Sequence, residues 1–91
     1  RLTERLIKIE KEGYKRILFI GPIMVREFIE DIIEEKGIGL VLASHCEDTV
    51  SAGSLEKDTF DIALLFDEKS NAEKRVRRDL EIPEAQVMNL L

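Results

Sequence analysis

Lys15-Arg16-Ile17-Leu18-Phe19-Ile20-Gly21-Pro22 sets an unbroken apolar run between two charges and a Gly-Pro stop. A continuous run of this kind, without alternation, reads as a strand buried on both faces. The segment after it changes period at once. Val25, Phe28, Ile29, Ile32 and Ile33 recur at i, i+3, i+4, i+7 and i+8, with Arg26, Glu27, Glu30, Asp31, Glu34 and Glu35 between them. That is an amphipathic helix, entered at Pro22 and stopped by Lys36-Gly37. Strand, tight turn and helix together open a parallel α/β unit, whose ligands usually sit at the C-terminal ends of the strands.

Working outward, the same alternation repeats. Upstream, Leu2, Leu6 and Ile9 share one helical face with Ile7 at its edge, and Gly13 follows, so a helix is expected over about 2–12. Downstream, Ile38 to Ala43 is a second apolar run. Thr49 to Leu55 is weakly patterned, a short helix or an irregular crossover. Phe60-Asp61-Ile62-Ala63-Leu64-Leu65-Phe66 is a third strand. Ser70 and Glu73 have capping-box spacing ahead of a helix over about 71–81, with Ala72, Val76 and Leu80 inward and Pro83 beyond it. Ala85 to Leu91 reads as a fourth strand. Strands alternating with helices predict a three-layer α/β/α domain with a four-stranded parallel sheet, order 2-1-3-4, and an added N-terminal helix. The expected core is Ile17, Phe19, Phe28, Ile29, Ile32, Val41, Ile62, Leu64 and Val76.

The chain has 91 residues, 44% hydrophobic and 36% charged, with net charge −5. This describes one globular domain. The negative mean charge argues against tracking nucleic acid or an anionic membrane. No apolar run approaches the ~20 residues of a membrane span, and no signal peptide is visible. A single cysteine, Cys46, excludes an internal disulfide and suits a reducing cytoplasm. Because the chain opens at Arg1 without Met, it is expected to be a piece of a longer protein.

Chemistry is sought in the loops at the strands' C-terminal ends. Gly21 and Pro22, at the helix start, form a candidate anion site through backbone N–H groups. Pro22 lacks one such donor, and no further Gly, Ser or Thr follows in the loop, so a plain strand-to-helix turn is the simpler reading. Ser44-His45-Cys46-Glu47-Asp48 is expected to be a polar loop after the second strand. An imidazolium beside a thiol lowers its pKa, which makes His45 and Cys46 candidates for a nucleophilic pair. Neighbours on an extended chain point to opposite sides, though, and an inert buried cysteine is the commoner case. Asp67 and Glu68, with Asp48, supply oxygen ligands for a cation, against the alternative of a solvated loop capping the helix at Ser70. No metal-ligand spacing or cofactor motif is present. Lys74, Arg75, Arg77 and Arg78 form a basic cluster that Glu73, Asp79 and Glu81 largely neutralise, which reads as a solvated helix face. Met24 and Met88 are assigned to the core or its edge.

Two families resemble this pattern. Lys15 to Ile20 as first strand, Phe60-Asp61-Ile62-Ala63-Leu64-Leu65 as third and Ile82-Pro83 before a short fourth resemble the enzyme IIB domain of the sugar phosphotransferase system, lactose/cellobiose and related types. That resemblance implies a flavodoxin-like four-stranded sheet. The family's phosphorylated cysteine would fall just after the first strand, where this chain has Gly21-Pro22-Ile23-Met24, so phosphotransfer does not carry over. Similar domains without the cysteine occur at the ends of some transcription regulators, as sensing or oligomerising modules. More weakly, Ala43 to Asp67 looks like part of a response-regulator receiver. There Gly21-Pro22 stands in place of the acidic pair, and Phe66 falls at the phosphoacceptor position when Asp61 is aligned.

The resulting expectation is a non-catalytic regulatory or interaction domain, part of a larger transcription-regulatory or signalling protein. Its expected partners are a second copy and a small anionic effector, with Gly21, Pro22, Ser44, His45, Asp67 and Ser70 nearest to it. The homodimer is expected because Leu2, Leu6, Ile7 and Ile9 need a surface, and the last strand has no helix after it to cover its face. The alternative is a phosphocarrier or small enzyme using Cys46, Asp48 or Asp67.

Overall fold

The computed structural model describes residues 2–48, 59–67, 72–83 and 86–90. The chain forms α1 (Leu2–Lys11), β1 (Arg16–Ile20), α2 (Ile23–Lys36), β2 (Val41–Cys46), β3 (Ile62–Leu65), α3 (Ala72–Leu80) and β4 (Val87–Asn89). The expected crossover at 49–55 and the Ser70 cap lie outside the described residues.

The four strands make one all-parallel sheet in the order β2-β1-β3-β4, a flavodoxin-like arrangement. β1 is central, and its apolar residues are buried on both faces. Alternation along the strands divides the core in two. Ile17, Phe19, Ile62 and Leu64 face α1 and α2, meeting Leu6, Ile9, Ile29 and Ile32. Leu18, Ile20, Ala63 and Leu65 face α3, meeting Val76 and Leu80. Every one of these side chains is inside because a parallel sheet covered on both sides leaves its central strands no wet face.

α1 belongs to the domain's own packing. Leu6 and Ile9 are fully buried, and Met88 and Leu90 from the last strand and its exit pack on the same cluster. The Arg5 guanidinium Nη1 donates to the Asn89 carbonyl at 3.4 Å. α1 and the end of β4 thus meet on one core cluster within the chain.

Three expectations about the core and the second strand need correction. The second strand is Val41–Cys46, not Ile38–Ala43. Gly37, in the left-handed region at φ 65°, ends α2. Its N–H reaches Glu34 O, and the Ile38 N–H reaches Ile33 O at 3.0 Å. This is a Schellman closure, with Ile38 and Ile33 in the same apolar cluster. The Glu10 carboxylate on α1 accepts the Gly39 N–H, and Leu40 is buried. Pairing therefore starts only where Val41 N–H meets Lys15 O, at 2.9 Å. The register with β1 slips at Ala43, so Ser44, His45 and Cys46 pair with Leu18, Phe19 and Ile20 as strand residues.

Val41 is 62% exposed, because it opens the edge strand opposite Arg16, on the face away from α1 and α2. Phe28 is 59% exposed. At about 100° per residue, Ile29 and Ile32 centre the buried stripe of α2, and Phe28 and Met24 lie together off one side of it.

Candidate functional site

In an open parallel sheet the crevice forms where the chain's progress across the sheet reverses. Here that point lies between β1 and β3, at the turn after Ile20 and the exit after Leu65.

Gly21 closes this edge by its backbone. Its N–H donates to Cys46 O at 2.9 Å, and its carbonyl lies 2.8 Å from His45 Nε2. A Cβ here would stand 2.9 Å from Phe19 Cζ and 3.0 Å from Phe66 Cβ, so two aromatic side chains occupy the space any larger residue needs. Pro22 is exposed, adopts an extended conformation, and takes the Val25 and Arg26 N–H groups on its carbonyl at 3.1 and 3.2 Å. The turn is tied to its neighbours through its own polar groups.

His45 and Cys46 lie on opposite faces of β2. The His45 ring packs on Phe19, with ring centroids 5.6 Å apart, on the face shared with α1 and α2. Cys46 is buried with Leu18, Ile20 and Val76 on the other face. Burial, and secondarily the Asp48 charge, raise the Cys46 thiol above its ordinary 9.0. A thiol so placed is less nucleophilic at neutral pH, not more. The expected His–Cys pair is therefore not assembled, and the reason is the alternation of side chains along a strand. Ser44 is a half-buried strand residue beside Leu18 rather than part of a loop.

Asp67 follows β3, and its carbonyl accepts Asn89 Nδ2–H at 2.9 Å, joining the exits of β3 and β4. Asp48 is exposed after β2. Glu68 and Ser70 lie outside the described residues. Among the described residues no three His, Cys, Asp or Glu side chains cluster as metal ligands would, and no helix is long and apolar enough to cross a membrane. In the basic cluster on α3, Arg77 Nε donates to Glu73 O at 3.4 Å, and Arg78 Nε meets Asp79 Oδ1 at 3.3 Å.

What the edge presents instead is an apolar groove of about 470 Å³ between the first turns of α1 and α2. Phe66 and Leu90, leaving β3 and β4, form part of its lining. Leu2 contributes from α1, and Met24, Val25 and Phe28 from α2. Among the described residues its one charged lining residue is Arg5. Met24 is 78% exposed, and Ile23 beside it is 52% exposed. The polar residues at the strand ends do not point to this groove. Its trace in the sequence is the pair Met24 and Phe28, four apart on α2, and Arg5 one turn after Leu2 on α1.

An ion pair with a perturbed carboxyl lies at the opposite edge. Asp61 Oδ1 pairs with Arg16 Nη2 at 2.9 Å, and Oδ2 accepts the Arg16 and Lys15 backbone N–H groups at 2.9 and 3.2 Å. The Arg16 hydrogen bonds hold this carboxyl down to about 2. The arrangement braces the start of β1 against the start of β3.

Compared with family models, curated proteins and solved structures, the chain matches none.

Proposed function

We propose that this chain is a non-catalytic regulatory or interaction domain of a transcription-regulatory or signalling protein, working through the C-terminal edge of its sheet. The observation that carries this reading is the makeup of that edge: an apolar groove with the Arg5 guanidinium in its lining, bordered by exposed Ile23, Met24 and Phe28. Convergent apolar side chains with a few polar groups suit binding. Covalent or acid–base work wants a nucleophile within reach of a base, and His45 and Cys46 stand on opposite faces.

The alternative, a phosphocarrier or enzyme acting through Cys46, is weakened by the thiol's burial and raised pKa. Self-association belongs to the same proposal. Leu6 and Ile9 of α1 are buried within the chain, and sedimentation at micromolar concentration reads the oligomeric state directly. The deciding experiment is thiol titration of the folded chain together with phosphoenolpyruvate-dependent labelling. The expected result is a thiol that reacts only on unfolding and takes no label. A stoichiometric label on Cys46 sinks the proposal.

A further inference from the structure

We infer that the groove between α1 and α2 is a binding site for a small apolar monocarboxylate, with Arg5 as the residue that holds the carboxylate. The inference rests on the reading of this domain as a binding module and names the chemistry of its ligand.

Shape and lining set the apolar part. The groove's volume, about 470 Å³, lies in the range of roughly 300–1,000 Å³ usual for small-molecule sites. Phe28, Phe66, Met24 and Leu90 offer it aromatic and flexible apolar surface. Met24 and Phe28 are left largely exposed at the sheet's crevice, so an occupant would remove apolar area from water that folding does not remove.

Charge sets the other part. The chain carries net charge −5, yet the charged lining residue is a cation. Arg5 Nη1 meets the Asn89 carbonyl at 3.4 Å, beyond the usual range for N–H···O, and a guanidinium has five N–H donors in all. A carboxylate would replace this long contact to a neutral carbonyl with a fork-shaped one between opposite charges. Among the described residues the lining offers one guanidinium, which matches one negative charge. A polyanion such as a nucleotide would meet the repulsion of a chain with net charge −5, and the lining is mostly apolar, so an acid with an apolar tail is the better complement.

The test is a titration of the nitrogen-15-labelled 91-residue chain with sodium octanoate, and separately with 1-octanol as the uncharged control. Octanoate is expected to give saturable amide shifts confined to residues 2–6, 23–28, 66 and 90, and to bind about ten-fold tighter than octanol. Arg5→Gln should bring octanoate to the octanol level and leave octanol unchanged, while Arg5→Lys keeps most of the preference. Arg5 is exposed on α1, so both variants should retain the shift pattern of the folded chain. Equal affinity of the two probes for the parent chain, shifts mapping elsewhere, or no saturation overturns the inference. So does a homodimer that Met24→Lys dissociates, because the groove then receives a second copy. These failures leave the broader binding-module reading in place if Cys46 stays unlabelled. A labelled Cys46 removes that reading whatever octanoate does.

Discussion

Replacing Asp61 with Asn tests how the N-terminal edge of the sheet is held. The carboxylate accepts two backbone N–H groups from β1 and its approach, and pairs with the Arg16 side chain. These contacts lower its pKa from 3.8 to about 2. At full strength that displacement corresponds to about 2.4 kcal/mol. The Arg16 and Asp61 side chains are 49% and 31% exposed, so solvent screening reduces the expected contribution to about 1 kcal/mol. Because the folded pKa lies below the unfolded one, the contribution is fully present above about pH 4 and is lost as pH falls toward 2. Urea denaturation of the parent chain and Asp61→Asn across that range should show a difference of about 1 kcal/mol at pH 7. The difference should shrink through the window between 3.8 and about 2. Comparing the two chains cancels the acid sensitivity of the other carboxylates. Stability curves that stay parallel from pH 7 to the bottom of that window would refute the reasoning, as would no difference at neutral pH.

Other perturbations separate buried from exposed apolar residues. Leu6→Ala should cost about 2–5 kcal/mol in chemical denaturation, since Leu6 is fully buried under the sheet; a loss below about 0.5 kcal/mol would detach α1 from the core. Ile29→Ala should fall in the same range of about 2–5 kcal/mol, while Phe28→Ala should cost under about 1 kcal/mol despite the larger side chain. Reversal of that order would place the wrong side of α2 against the sheet. Gly21→Ala should destabilise by about 1–3 kcal/mol, because its Cβ meets the Phe19 ring at 2.9 Å; an unchanged urea midpoint would contradict the close packing of this turn.

The architecture was legible in one dimension because it rests on periodicity. The unbroken run at Ile17–Ile20 already implied a strand covered on both sides, and the 3.6-residue spacing of Ile29 and Ile32 implied a helix over it. The alternation of types then restricted the sheet to a parallel one, and its order followed as expected. The separation of His45 from Cys46 was expected of neighbours on an extended chain, although the two were placed in a loop rather than in β2.

The strand's position along the chain was not legible. Ile38 and Leu40 are as apolar as any strand residue, yet one closes α2 and the other joins the core. What moves β2 onward is the Schellman closure at Gly37 and a carboxylate from α1, a long-range contact that no local pattern encodes. The same holds for the groove. An apolar residue at helical spacing reads as core, and whether Phe28 faces the sheet or lies beside it depends on the angle at which α2 meets its neighbours. Arg5, Met24, Phe66 and Leu90 are scattered from one end of the chain to the other. They line one groove because α1 folds back along the sheet and brings its first turn to the strand ends, and that arrangement exists only in three dimensions.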